Sequence, residues 1–432
     1  VHASNRQQHL LKSRQLQRAL YRAAKRSRTR RFHALYDRIY RPDILWRAWV
    51  EVKANGGQAG IDGVSIESIE AADVSAFLSG IAEELKAKRY LPKAVLRVMI
   101  PKPDGGQRPL GIPTVRDRVV QQACRIVVEP VFEALFENCS YGFRPKRSAR
   151  QAVESVRESL IRGWHVVDAD IQGFFDNIDH ELLLSLVGRR VSDRRVLKLI
   201  RQWLKAGVVA DGQYHRTEKG TPQGGVVSPL LANIYLHVLD RYWTLECCHL
   251  GKLVRYADDF VIICRHQSQA RQALREATAL LARLKLRLHP EKTRIVRTEH
   301  DGFDFLGFHF RKRRGRRGAG KLVPHVWPSA RSMKRVRARL KELTSSRWLR
   351  LPRGIMVRRL GEVIRGWRTY FLYGNGSKQF RSLDRYARQR LRRFYGRQMG
   401  CRARNIDARF CRWYATCKVE RFYRSGVFGR AS

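Results

Sequence analysis

Three styles of hydrophobic spacing follow one another along this chain of 432 residues, and each predicts a different kind of structure. In the first forty residues Leu10, Leu11, Leu16, Leu20 and Tyr21 recur at roughly helical intervals among Arg and Lys, which predicts one or two basic amphipathic helices. Glycine and Asp in NGGQAGIDG (55–63) end that pattern in a loop. From about Lys93 to Phe310 short runs of β-formers (VLRVMIP, HVVDADI, KLVRYADDFVIIC, FDFLGFHF) alternate with helical patterns over 117–138, 147–162 and 267–287. Both periods within one stretch predict an α+β fold, with helices packed on a mostly antiparallel sheet. Beyond RKRRGRRGAGK (311–321), which reads as a basic, glycine-broken linker, only helical patterns remain. Ser329 is a fitting N-cap for ARSMKRVRARLKELT, whose Met333, Val336, Leu340 and Leu343 form one stripe. GIMVRRLGEVIRGWRTYFLYG and FRSLDRYARQRLRRFYGRQM supply two further helices of a bundle.

The length predicts two or three domains, and 44% hydrophobic residues suffice to build their cores. Charge changes the picture more. The chain sets 87 Lys+Arg against 38 Asp+Glu, a formal net charge of +49, which far exceeds what solubility requires and calls for a large polyanion as partner. No run approaches the roughly 18 to 20 apolar residues of a spanning helix, and no charged-then-apolar signal segment opens the chain, so nucleic acid rather than membrane is expected. The N-terminal helices then read either as a solvated face or as an arm that touches RNA. A cytoplasmic protein, associated with the nucleoid when on DNA, fits this balance. The eight cysteines form no C-x-x-C pair and predict free thiols in a reducing compartment; Cys401, Cys411 and Cys417 lack the paired spacing of a zinc site.

Against so basic a background, Asp258 and Asp259 stand side by side between two apolar β-runs. Like charges that close raise each other's pKa unless a cation compensates, and Arg255 is a candidate for that cation. Asp168 and Asp170, two apart on the apolar run VVDADI, share a strand face, and a turn with Gly173, Phe174 and Phe175 follows. A strand-end Asp brought against a hairpin Asp is a minimal site for two hard divalent cations. Mg²⁺ suits it, because Mg²⁺ takes one or two protein carboxylates and completes its octahedron with water and substrate phosphate.

With these motifs the chain resembles the reverse transcriptases of bacterial group II introns, also called maturases, over nearly its whole length. YADD within VRYADDFVIIC is similar to the family's catalytic hairpin, and DADIQGFFDNIDH to the strand that supplies the other metal ligand. The resemblance implies Asp170, Asp258 and Asp259 as the catalytic and metal-binding acids, with the Ile171 carbonyl as an extra ligand, and two Mg²⁺ ions, or Mn²⁺ in their place. It implies Phe175 as the aromatic that closes the sugar pocket against a 2′-OH. VMIPKPDGGQRPLGIP resembles the fingers hairpin, in which Lys102 and Arg108 converge on the triphosphate, and Arg suits the bidentate contact. Gln223 in GTPQGG belongs to the template-positioning loop, where a glycine backbone can approach a base pair closely. Lys292 in HPEKTRIV matches a lysine at the base of the palm that can protonate leaving pyrophosphate or hold charge there, and Arg144 in SYGFRPKRS is a candidate template or nucleotide contact.

GWRTYF (366–371) looks like the signature of the maturase thumb, with Trp367 and Tyr370 as core anchors and Arg365, Arg368, Arg388, Arg392 and Arg393 turned to RNA phosphates. The resemblance therefore implies a right-hand polymerase with an all-helical thumb. Its expected parts are an N-terminal basic helical extension and start of the fingers over 1–90, fingers and palm over 91–312, thumb over 313–400, and a basic tail over 401–432. Trp413, Tyr414, Phe422 and Tyr423 in that tail read as a small DNA-binding remnant, and a C-terminal nuclease domain is not expected. The function implied is an RNA-directed DNA polymerase that binds its parent intron RNA, assists splicing and copies that RNA at a new site. Its partners would be intron RNA, target DNA with a primer strand, and dNTPs. The rivals are a maturase with a vestigial polymerase and a non-intron bacterial reverse transcriptase of defence or repair.

Overall fold

Strand pairing decides where the acidic residues go. The computed structural model describes residues 2–101, 106–315, 320–400, 406–417 and 419–423. Lys102 and Cys401 lie outside the described residues. Three sheets are present in an α+β fold. One runs in the order Gln107–Ile112, Val95–Pro101, Val208–Ala210, Gln213–His215. Its first two strands are antiparallel with Ile100 opposite Arg108, while Val95–Pro101 and Val208–Ala210 are parallel. A second has the order Lys252–Tyr256, Asp259–Cys264, His165–Asp170, Arg294–Arg297, and a third the order Leu322–Pro328, Phe308–Arg314, Phe303–Phe305.

The chain divides into two compact units. The first comprises Val1–Ser148, Ala169–Phe260 and Arg271–Thr293. Its centre is the helix Val115–Glu133, opened by Thr114, whose hydroxyl accepts the Asp117 amide at 3.0 Å. The helix is buried on nearly every side, as a helix with neighbours on several faces must be. The helices His2–Arg26 and Pro42–Asn55 pack on it. Leu16, Leu20 and Ala24 of the N-terminal helix turn inward, each apolar side chain gaining about 1.5–3 kcal/mol where burial is complete, while Leu11 and Tyr21 of the expected stripe stay exposed. Gln17 fixes the docking by donating to the Ile126 carbonyl at 3.0 Å.

The second unit comprises Ala149–Asp168, Val261–Ala270 and Arg294–Ser432. Here the structure corrects the sequence reading of 311–321 as a linker followed only by helices. Phe308–Arg314 and Leu322–Pro328 pair antiparallel, with Phe310 opposite Val326 and Lys312 opposite Pro324. The inward positions are Phe308, Phe310 and Lys312, so a lysine stands where a strand pattern calls for an apolar residue. Lys312 is 1% exposed, its ammonium lies 3.5 Å from the centre of the Trp164 ring, and it donates to the Ile161 carbonyl at 3.4 Å. Burial pulls its pKa down to about 8, with Glu299 opposing.

The helical bundle of this unit follows the apolar stripes. Ser329 caps Ala330–Leu343 through the Ser332 amide, and Met333, Val336, Leu340 and Leu343 are buried against Arg353–Phe371 and Ser377–Gln398. Trp367 packs on Phe371, Phe380 and Phe422, with ring centres 4.4, 5.2 and 5.4 Å away. Phe422 is thus a core residue, not a nucleic-acid contact, and Asp384 holds its segment by accepting the Phe422 and Tyr423 amides at 2.8 and 2.9 Å. The helix Ile406–Thr416, absent from the sequence reading, stacks Trp413 on Tyr395 at 5.1 Å. Among the described residues no helix is long and apolar enough to cross a membrane, and no disulfide joins the described cysteines.

Candidate active site

Lys252–Tyr256 and Asp259–Cys264 are joined by two residues, Ala257 and Asp258. So tight a hairpin requires a positive φ, and Ala257 supplies it at 59°, a strained conformation for a residue with a side chain. The Trp164 amide donates to the Cys264 carbonyl at 2.9 Å, so the start of His165–Asp170 lies beside the end of Asp259–Cys264. The opposite ends of these neighbouring strands then bring Asp170 beside the Asp258–Asp259 turn. Burial, and after it the charge of Asp170, push the Asp258 carboxyl above its ordinary range, while Arg108 and Arg255 pull it back.

Main-chain geometry adds an oxygen. Gln172 donates to the Arg287 carbonyl and His289 to the Asp170 carbonyl, at 2.9 and 2.8 Å, while Ile171 pairs with Leu288 between them. A residue in the wide position of an antiparallel ladder turns its own N–H and C=O to the other edge. The Ile171 carbonyl therefore points away from Leu288. As donors, Asp170, Asp258, Asp259 and that carbonyl would all be hard oxygens. Among the described residues no three His, Cys, Asp or Glu side chains form a ready-made metal cage. Lys292 donates to Asp170 at 2.9 Å, so the palm lysine faces the same carboxylate, and Asp168 pairs instead with Arg294 at 3.4 Å.

The residues read as nucleotide contacts meet around Gln223. Its amide oxygen accepts Arg108 Nε at 2.6 Å, and its backbone carbonyl accepts the Gly111 amide at 2.6 Å. Gly224 at φ 120° comes so close to the Gly111 carbonyl that any Cβ there would overlap it. The loop is tied to the sugar-pocket candidate as well, since Thr221 donates to the Phe175 carbonyl at 2.8 Å. Phe175 is 8% exposed and meets Phe174 edge to face at 5.2 Å.

Other sequence candidates fare differently. Arg144 turns inward, its side chain 3% exposed, with Nε and Nη2 on the two oxygens of Glu133 at 3.0 and 2.8 Å and Nη1 on the Glu137 and Ser140 carbonyls. Its guanidinium has no open face for a template. In the second unit Arg365 and Arg368 both reach Glu420 at 3.3 Å, Arg392 pairs with Asp407, Arg388 lies over Tyr414, and Arg393 is exposed.

Arg255 compensates Asp258 in part, but its own ion pair lies elsewhere. It is fully buried and pairs with Asp240. Sequence reading missed Asp240, Asn233, Ser140 and Gly142, which surround it. A signal existed: Asn233 and Asp240 are polar, seven residues apart on one face of the otherwise apolar helix Ser228–Tyr242, where each must have a partner.

Comparison with known proteins meets this geometry. Residues 100–310 match the family described as reverse transcriptase (RNA-dependent DNA polymerase), and residues 333–410 the group II intron maturase-specific domain. Protein YkfC of Escherichia coli K12 is 35% identical over 336 residues, 68% of this chain and 87% of that protein. The group II intron-encoded protein LtrA of Lactococcus lactis is 34% identical over 353 residues, 66% of this chain and 57% of LtrA. A Cas6-RT-Cas1–Cas2 complex aligns over 58% of this chain and 27% of its own, with 23% identity and a TM-score of 0.36. An acidic strand end against a YADD turn, a matched polymerase region and a maturase domain after it converge on one conclusion: the chain belongs to the group II intron-encoded reverse transcriptases, RNA-directed DNA polymerases.

Proposed function

We propose that this reverse transcriptase binds its parent group II intron RNA, assists its splicing, and copies it into DNA during intron mobility by metal-assisted nucleotidyl transfer. The observation that carries the catalytic part is the meeting of Asp170 with the Asp258–Asp259 turn at the ends of neighbouring strands. The maturase-specific match and the likeness to LtrA support the intron RNA as partner.

Reverse transcriptases use divalent metal ions. Asp170, Asp258, Asp259 and the Ile171 carbonyl would hold two, of which Mg²⁺ is the natural choice; bound there, the ions lower the charge on the attacking and leaving oxygens of the displacement. The protein's own groups do the rest. Arg108, held by Gln223, offers a fork to the triphosphate, and Lys102 is expected to join it. The Phe175 ring is assigned to the sugar pocket, to crowd a ribose 2′-OH. Lys292, whose ammonium donates to Asp170, is assigned to the departing pyrophosphate. The thumb arginines supply phosphate contacts for RNA and for the primer–template.

Primer extension by Asp258→Ala tests the catalytic part. We expect cDNA synthesis to vanish while RNA affinity stays within about twofold, because the basic surface that dominates binding is untouched. Unchanged extension would overturn the assignment. Sequencing the RNA that copurifies from native cells tests the intron part, for which enrichment of an excised lariat encoding this protein is the expected result.

A further inference from the structure

We propose that Arg255 is a positioning residue of the polymerase site: through one carbonyl it holds the catalytic turn, and its side-chain partners exist to hold Arg255. A guanidinium has five N–H donors in a fixed plane, and here every one is used. Nε donates to Asp240 Oδ1 at 2.7 Å and Nη2 to Asp240 Oδ2. The second Nη2 proton goes to Ser140 Oγ at 2.7 Å. Nη1 donates to Asn233 Oδ1 at 3.2 Å and to the carbonyl of Ala257 at 2.8 Å. Four of these bonds anchor the group to the helix Ser228–Tyr242 and to the segment around Ser140. The fifth reaches the residue before Asp258.

The turn needs such a hold. Ala257 sits at φ 59° without the freedom of glycine, and a residue in that region persists only when its surroundings over-determine it. The opposite side is closed as well. Gly142 lies so near the Ala257 nitrogen that a Cβ would overlap it, and Asn233, already bonded to Arg255, donates its Nδ2 to the Gly142 carbonyl at 2.8 Å. Arg255 itself is stitched to the same segment, its amide donating to Cys139 and its carbonyl accepting from Tyr141, at 2.8 and 2.9 Å. SYGF and VRYADD are thus two halves of one clamp. A lysine could carry the charge but not the plane of five donors. The fork, not the charge, fixes where Asp258 and Asp259 point.

This inference rests on Asp258 and Asp259 being catalytic. Removing Arg255 alone would strand Asp240 in the core, so the primary variant neutralises both, Arg255→Gln with Asp240→Asn. Steady-state primer extension at saturating template should show kcat reduced about 10- to 100-fold with the KM for dNTP within about twofold, since a displacement near 1 Å misaligns chemistry more than binding. Arg255→Lys should fail to restore kcat. Gly142→Ala leaves the ion pair intact and presses on the same turn, so it gives the same split if the double variant does not fold. An unimpaired kcat in a folded variant, a parallel rise in KM, or full rescue by lysine would overturn the proposal. Asp258→Ala assayed alongside separates the two readings: if it still extends primers, the site assignment fails; if it is dead and the Arg255 variants are unimpaired, only the clamp fails.

Discussion

Arg108 Nε and Gln223 Oε1 stand 2.6 Å apart, so the residue proposed to meet the triphosphate and the amide of the proposed template loop share one hydrogen bond. Each fixes the other's rotamer. Arg108→Ala and Gln223→Ala should therefore raise the KM for dNTP non-additively, with a coupling of at least about 0.5 kcal/mol in a double-mutant cycle of kcat/KM. Additive losses would mean the pair comes apart when nucleotide binds.

Phe175, which we propose closes the sugar pocket, is nearly buried and edge-on to Phe174. Truncation to Ala should raise the ratio of ribo- to deoxyribonucleotide kcat/KM by about tenfold or more. It should also cost about 3 kcal/mol of stability through the cavity left behind. Competition between rNTP and dNTP, and a denaturation curve, read the two effects separately; an unchanged ratio would leave Phe175 a core aromatic.

Two arginines singled out from sequence should part company. Arg393 is exposed, and Arg393→Ala should weaken RNA binding and reduce the slope of log K against log salt by about one. Arg144 is spent on Glu133, and Arg144→Ala should leave that slope alone while destabilising the protein by about 3 kcal/mol. Filter binding across a salt series, paired with thermal melts, tests both. A reduced slope for Arg144→Ala would show that its ion pair opens to RNA.

Lys312 gives a pH signature. Its folded pKa, about 8, lies below the ordinary lysine value, so at neutral pH the folded state binds a proton less tightly than the unfolded chain does. That penalty is present below pH 8 and fades as pH rises from about 8 toward the unfolded value near 10.4. Comparing melting temperatures of wild type and Lys312→Met from pH 7 to 10 should show the difference moving steadily in favour of wild type. A pH-independent difference would place the ammonium in water.

Much of this was legible before any coordinates, and the rest was hidden for physical reasons. Leu340 and Leu343, spaced for a helix, named the bundle stripe, and two adjacent acids between β-runs named a hairpin. The strand Leu322–Pro328 was not legible, because its prolines and the arginines of its partner mask the alternation that only Phe308, Phe310 and Val326 reveal once paired. Arg144 looked like a template or nucleotide contact because sequence shows charge and not direction. Glu133, eleven residues earlier and a helix away, decides that direction. Arg255 was legible only in part: it lowers the Asp258 pKa as expected, but the acid it pairs with is Asp240, fifteen residues earlier.

The Ile171 carbonyl, which we propose as a metal ligand, is an oxygen that belongs to no side chain. Ordinary mutagenesis cannot delete it, and the residue at 171 is free to drift among β-formers without touching the ligand. What is inherited at that position is a register. A slip of one residue against Leu288 would leave every aspartate in the chain and still aim the carbonyl at the wrong edge, so this part of the active site is written in the alignment of two strands and not in any letter of the sequence.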